Sequence, residues 1–299
     1  MKNLTITILI LSFCFNGFGQ DYKAKYLELS IKKDNDKEIL DYLKIWENAQ
    51  PNNAELYVAY FNYYFNKSRS EILHLETHSG PGENVILKDS TGKTAGFIYS
   101  GYQYNDSLFN LGQHYVDEGI KRNPRRLDLY FGKVYSWGEI GRFDKYQAEL
   151  LKVIDLSARI NYNWLWSDDK IIEDSKNHFK GVIQSYCNEL FNLNPPKFDV
   201  IKAISQKMIF YFPQDIEYYS NIGSCYAMQG DYKKGLEYFK KAFSLNSKDI
   251  IVLNNLAYSY EQLKDYVNAI KFYNLVIKYG NDDDKKYAKQ AVDELSKKK

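Results

Sequence analysis

The chain is 299 residues long, 44% hydrophobic and 26% charged, with 40 Lys and Arg against 38 Asp and Glu. That apolar content supports a buried core and excludes a disordered chain, and the near-neutral balance excludes a general nucleic-acid binder, which needs a basic excess or stripe. Tyr alone contributes 28 residues, and a ring that buries its body while its hydroxyl stays wet suits thin helical layers with much surface.

Lys2 opens the chain, an apolar run extends from Leu4 to Phe15, and Gly17-Phe18-Gly19 leads into Gln20 and Asp21. A positive start, a short apolar stretch and a small-x-small exit form the grammar of a cleaved signal peptide over residues 1–19, too short to serve comfortably as a membrane anchor. The expectation is a periplasmic or secreted protein with no integral membrane segment after cleavage. An outer-membrane lipoprotein fits less well, because bulky Phe13 precedes Cys14 where a lipobox-like motif wants Gly, Ala or Ser. Cys187 and Cys225 would remain, in a compartment that permits a disulfide; each lies in an amphipathic stretch where a small buried thiol also fits, so both states stay open.

Two segments break the helical period. In residues 67–104, Ser79-Gly80-Pro81-Gly82 precedes the apolar run Val85-Ile86-Leu87, the turn Asp89-Ser90-Thr91-Gly92 and a second run Phe97-Ile98-Tyr99, which predicts a β-hairpin. In residues 161–181, Asn161-Tyr162-Asn163-Trp164-Leu165-Trp166 precedes Ser167-Asp168-Asp169, and no helical period holds.

The C-terminal third repeats itself. Tyr219, Ile222, Gly223, Tyr226, Asp231, Tyr232, Gly235, Phe239 and Ala242 recur 34 residues later as Leu253, Leu256, Ala257, Tyr260, Asp265, Tyr266, Ala269, Tyr273 and Val276. This pattern resembles the tetratricopeptide repeat, a helix hairpin in which small residues let the two helices cross closely while aromatic residues fill the space beside them. The turns are Gly230-Asp231 and Lys264-Asp265. The resemblance implies an all-α fold, a right-handed α-solenoid of about six stacked hairpins, since one hairpin cannot bury its apolar face alone. Pro213 stands at the repeat's closing-proline position, and Pro51 and Pro124 look like its earlier counterparts. Their separations of 73 and 89 equal one period plus 39 and two periods plus 21. Both remainders match the two non-helical segments. The units expected are therefore 20–53, 54–126, 127–160, 182–215, 216–249 and 250–283. Residues 20–66 hold repeat 1 and the first helix of repeat 2, then come the hairpin insertion at 67–104, the rest of repeat 2 with repeat 3 at 105–160, and the aromatic insertion at 161–181. Residues 182–215 are a degenerate repeat, and 284–299, with Tyr287, Ala288, Ala291, Val292 and Leu295 on one face, a polar-backed capping helix.

Several stretches imitate chemistry. Ser90-Thr91-Gly92-Lys93-Thr94 ends like a phosphate-binding loop, but Leu87 stands where the leading glycine belongs and a strand follows instead of a helix. His74 and His78 are four apart, yet Glu76 lies between them rather than beside the first His, and Ser79-Gly80-Pro81 follows at once. No G-x-S-x-G elbow and no Ser/His/Asp or Cys/His constellation stands out. The basic run Arg122 to Arg126 and the acidic run Asp282-Asp283-Asp284 read as solvated segments. No catalysis, metal or cofactor is expected; a metal-dependent enzyme built on His74 is the least favoured reading.

The family resemblance implies a groove lined by the first helix of each pair, holding a protein or peptide. Its groove positions fall on Glu217, Ser220, Asn221, Ser224, Ala227 and Met228 in the fifth unit and on Ile251, Asn254, Asn255, Tyr258, Glu261 and Gln262 in the sixth. Asn221 and Asn255 repeat at the unit spacing, and amides can both donate to and accept from a peptide backbone. The same amides could instead satisfy contacts between units. Tyr162, Trp164 and Trp166 offer a second partner surface, or plug the gap where the repeat is interrupted. The overall expectation is a non-catalytic envelope or secreted scaffold. The alternative is an accessory subunit of an envelope complex docking through its insertions.

Overall fold

A computed structural model describes residues 21–32, 35–80 and 82–298. The signal peptide expected at 1–19 lies outside the described residues. The helices fall into six consecutive pairs: α1 (Tyr22–Ser30) with α2 (Asp36–Ala49), α3 (Ala54–Ser68) with α4 (Asp106–Arg122), α5 (Leu127–Glu139) with α6 (Phe143–Arg159), α7 (Ser175–Asn192) with α8 (Phe198–Tyr211), α9 (Ile216–Met228) with α10 (Tyr232–Leu245), and α11 (Ile250–Gln262) with α12 (Tyr266–Tyr279). Helix α13 (Asp282–Ser296) closes the array. The fold is an all-α solenoid with a small β insertion.

Asn and Asp residues start many of these helices, each accepting a hydrogen bond from a backbone N–H that the helix leaves unpaired: Asn53 for α3, Asn105 for α4, Asp231 for α10, Asp249 for α11 and Asp265 for α12. The run Asp282-Asp283-Asp284, expected to be a solvated loop, is instead the first turn of α13. Asn281 and Asp284 form a reciprocal capping box there, and three carboxylates meet the positive end of the helix dipole. The turns inside pairs three, five and six share one device. The N–H of Arg142, Asp231 and Asp265 reaches back to the carbonyl of Trp137, Tyr226 and Tyr260 at 2.9 Å in each case. The residue before each is left-handed, at φ 73° for Gly141, 84° for Gly230 and 60° for Lys264. Lys264 adopts without glycine a conformation that costs an L-residue about 1 kcal/mol.

A second device marks the unit boundaries. The hydroxyl of a Tyr six residues after each closing proline donates to that proline's carbonyl: Tyr57 to Pro51 at 2.7 Å, Tyr130 to Pro124 at 3.1 Å and Tyr219 to Pro213 at 3.2 Å. The core runs along the stack in three contiguous clusters. Trp137 packs on the first and second, and Ile209 on the second and third.

Inside the second pair, β1 (Arg69–Glu76), β2 (Val85–Lys88) and β3 (Thr94–Tyr104) form an antiparallel sheet in the order β1-β3-β2. The hairpin read from the sequence is β2 with β3. Strand β1 is additional, and it carries His74, which stacks on Tyr99 at 4.9 Å, so the two histidines do not share a helix face. Its sequence, Arg69-Ser70-Glu71-Ile72-Leu73-His74-Leu75-Glu76, alternates too poorly to announce a strand. The Ser90-to-Thr94 imitation of a phosphate loop is the β2–β3 turn, fastened by Asp89 accepting from the Thr91 and Lys93 N–H groups.

The second insertion is shorter than expected, because α7 begins at Ser175. Phe179, Ile183, Cys187 and Leu190 are all buried at helical spacing, a period hidden by the polar residues among them. Ahead of it, β4 (Leu165–Trp166) and β5 (Lys170–Ile171) form a two-stranded ribbon around a short 3-10 turn, Ser167–Asp169.

That ribbon is held by Arg126, the largest departure from a solvated basic run. Its guanidinium is 1% exposed as a residue and donates to both carboxylate oxygens of Asp128, at 2.9 and 2.8 Å, to Asp169 at 3.2 Å and to Glu55. Glu55 also accepts from the Asp168 N–H at 2.8 Å and pairs with Lys23 at 2.8 Å. Burial pushes the Glu55 carboxyl up, but the Asp168 N–H, Lys23 and Arg126 outweigh it and hold it below its ordinary value.

This packing can be tested at a glycine and at a carboxylate. A Cβ on Gly223 would lie 2.6 Å from the Phe239 ring, whereas one on Gly181 meets nothing within 4 Å. Gly223→Ala is expected to lower stability by about 1–3 kcal/mol in urea unfolding, and Gly181→Ala to leave it unchanged or raise it by up to about 1 kcal/mol. For Glu55, a depressed folded pKa means stability that is present above the unfolded value of about 4.3 and lost as pH falls through the folded value. The stability gap between wild type and Glu55→Gln should therefore be full at pH 7 and shrink below about pH 4. A gap independent of pH would contradict the ionic role.

Candidate functional site: the groove along the first helices

Helices α7, α9 and α11 line a groove of about 450 Å³. Its walls include Gln184, Asn188 and Phe191 from α7, Glu217, Ser220, Asn221, Ser224 and Met228 from α9, and Ile251 from α11. A neighbouring hollow of about 400 Å³ shares Ser224 and Met228 and adds Ala227, Tyr232, Asn255 and Tyr258. The structure thus brings together Glu217, Ser220, Asn221, Ser224, Met228, Asn255 and Tyr258 from the residues expected. It does not bring Asn254, Glu261 or Gln262 to these two hollows. Glu261 accepts from the Tyr273 hydroxyl at 3.0 Å, and the buried Oδ1 of Asn254 has no hydrogen-bond partner among the described residues.

The asparagine pair does not stand open to a peptide backbone. Asn221 is buried and exchanges both hydrogen bonds with Gln184, donating to Oε1 at 2.9 Å and accepting from Nε2 at 3.2 Å, so its amide ties α9 to α7. Asn255 reaches back to the Ser220 hydroxyl at 3.5 Å, the long limit for such a bond. The groove's accessible surface comes from other side chains. Met228 is 59% exposed, and Ile251 and Tyr258 are exposed as well. Among the lining residues of both hollows the charged groups are Glu217 and Asp249, so the surface is acidic and partly apolar. Gln184, Asn188 and Phe191 went unnoticed in the sequence because α7 departs from the repeat pattern; the reciprocal amide at Gln184 was detectable only once the helices were placed.

The aromatic insertion resolves mostly as a plug. Trp164 is buried, donates its indole N–H to Ser157 at 3.0 Å and meets Tyr130 edge-on, and Tyr162 is buried against Phe179 and Phe212. Neither can meet a partner without leaving the core. Trp166, at 38% exposed, is the member of the three that faces outward. Cys187 and Cys225 are free and buried, and burial pushes each thiol up to about 12. Among the described residues no group of three His, Cys, Asp or Glu side chains is arranged to hold a metal ion, and no helix is long and apolar enough to cross a membrane.

Removing one member of a reciprocal amide pair strands the other. Asn221→Ala is expected to cost about 1–3 kcal/mol in chemical unfolding, and Asn255→Ala, whose bond is long, less than about 1 kcal/mol. Equal costs would show that Asn221 does not join the helices in this way.

The tetratricopeptide repeat matches residues 216–249 and again 251–282. No curated protein matches the chain. Among solved structures, the thermophilic TPR protein TTC0263 of Thermus thermophilus aligns at 13% identity and a TM-score of 0.35, covering 62% of this chain and 91% of its own. Yeast Tom70 aligns at 12% identity and 0.37, over 92% of this chain but 45% of its own, so the chain spans less than half of that protein. The TPR2AB domain of yeast Sti1, in a complex with pHSP90, aligns at 10% identity and 0.34, over 92% and 97%. Residues 216–282 are thus two tetratricopeptide repeats at the end of a stack of helix pairs.

Proposed function

We propose that this protein is a non-catalytic scaffold that receives an extended segment of a partner protein in the groove of α7, α9 and α11, and that it works in the bacterial envelope or outside the cell. The observation that carries the groove reading is the continuity of the two hollows through Ser224 and Met228. Together they offer a channel with apolar contacts at Met228, Ile251 and Tyr258 and hydrogen-bonding groups at Ser220 and Ser224, the mixture that suits a peptide chain. The location rests on the signal-peptide grammar of residues 1–19.

One observation favours docking through the β insertion instead. Leu73 and Leu75 on β1 and Val85 on β2 share one face of the sheet by register, and all three are well exposed, Leu73 at 76%. Contiguous exposed aliphatic groups of this kind mark interaction surfaces.

The readings separate in one experiment. Peptides selected from a random library for binding to the full chain are titrated against wild type, Ser224→Tyr, and a variant lacking residues 83–100, with helicity checked by circular dichroism. Residue 224 lines both hollows, so a ring there obstructs the passage between them, and the groove reading predicts at least about a tenfold loss with Ser224→Tyr. Unchanged affinity in Ser224→Tyr with loss in the deletion would overturn it in favour of the sheet.

A further inference from the structure

A smaller hollow of about 110 Å³ lies where α5, α6 and α7 meet, lined by the rings of Tyr135, Phe143, Tyr146 and Tyr186 and by Glu139 and Glu189. Three of its rings form walls at steep angles. Phe143 and Tyr146 are 5.9 Å apart at 54°, and Tyr146 and Tyr186 are 5.9 Å apart at 83°. Tyr135 is 50% exposed, Tyr146 is buried, and Gly138 packs close beside it, since a Cβ there would come within 3.2 Å of the Tyr146 ring.

Its charged lining residues, Glu139 and Glu189, form no ion pair among the described residues. Burial, then Glu139, pushes the Tyr135 hydroxyl up; burial, then Glu189, does the same to Tyr186. The field of both carboxylates therefore bears on the rings. Lys197 already rests over Phe143 at 4.8 Å, so one of these rings accepts an ammonium, and nearby Arg69 is engaged over Tyr102 at 4.5 Å.

The place of the hollow in the array adds a second argument. Tyr135, Gly138, Glu139 and Phe143 stand 89 residues before Ser224, Ala227, Met228 and Tyr232, the same offset as Pro124 to Pro213. Those four later residues line the groove hollow of the fifth unit. The third unit thus carries the corresponding hollow with a ring at Tyr135 in place of Ser224 and a carboxylate at Glu139 in place of Met228.

We propose that this hollow is a binding site for a cationic side chain, the Lys or Arg of a partner protein lying along the groove. Aromatic faces attract a cation through their quadrupole, and the two carboxylates supply the opposite charge. An anion would meet two like charges, and a neutral apolar side chain would desolvate carboxylates without pairing them. The site rests on the groove reading and specifies what the partner presents two units upstream.

The test uses end-blocked pentapeptides, Gly-Ser-X-Ser-Gly with Lys, Arg, norleucine or Glu at X, titrated into the full chain and followed by the NMR amide signals of Gly138 and Glu189. Lys and Arg are expected to saturate these signals at least about fivefold more tightly than norleucine, with no saturable shift for Glu. Glu139→Gln/Glu189→Gln should erase the preference for charge, and Tyr135→Ala, which keeps both carboxylates, should weaken Lys binding about two- to fivefold. Equal binding of Lys and norleucine, or a Lys preference that survives in the double variant, overturns the site. If that happens while Ser224→Tyr still blocks selected peptides, the cationic site fails and the groove stands. If Lys saturates the signals while Ser224→Tyr has no effect, the groove reading fails and the hollow remains a separate site.

Discussion

A guanidinium removed from water must be neutralised and have its N–H groups satisfied, or its desolvation cost is several kcal/mol. Arg126 meets that demand by drawing in parts of the chain that otherwise have no reason to meet. Asp128 comes from its own helix start, Glu55 from the head of α3, and Asp169 from the ribbon after α6. Lys23 on α1 then closes on Glu55 and Asp168, at 2.8 and 2.6 Å. The backbone reinforces the junction, because Leu165 N–H bonds to the Arg125 carbonyl at 2.8 Å while Arg125 donates to the Asn163 carbonyl at 2.9 Å. One buried cation thereby sets where the second unit ends, where the third begins and where the aromatic insertion returns. With the insertion fixed, Trp164 fills the space beside Tyr130, and α7 starts from a defined point.

The regular end of the molecule was legible in the sequence because its residues serve one purpose each. Gly223 and Gly235 permit the close crossing of α9 and α10, Phe239 packs on Gly223, and Asp231 caps. A 34-residue echo of such residues can be read without coordinates. Pro51, Pro124 and Pro213 were readable too, though the Tyr that answers each of them became visible only as a hydrogen bond. Arg126 was not legible. A basic residue beside Arg125 and Pro124 looks solvated until Glu55 and Asp169, 71 and 43 residues away, are placed around it.

The candidate groove was half legible for a related reason. Family positions locate the helix face, and Ser224, Met228 and Tyr258 do face the hollows. Periodicity of Asn221 and Asn255 suggested a ladder for a peptide backbone, but a repeated polar residue on a packed helix can equally answer its neighbour. Gln184 on the irregular α7 decides the matter for Asn221. The charge of the groove comes from Glu217 and Asp249 of the regular fifth unit, whereas the separate hollow of the third unit takes its charge from Glu139 and from Glu189 on the irregular α7.

The β insertion leaves the solenoid at Ser68 and returns at Asn105, where the Asn105 N–H bonds to the Ser68 carbonyl at 2.7 Å. Topologically the whole sheet is therefore a swollen turn. Helices α3 and α4 pack as any hairpin would, with Gly119 against Tyr57 and Gly112 against the Phe61 carbonyl. Selection can lengthen, decorate or trim what lies beyond that closed neck without renegotiating the helix stack, in the way an antibody varies its loops over a constant framework. The second pair is thus the position at which this solenoid can change its outward surface while its inherited architecture stays put.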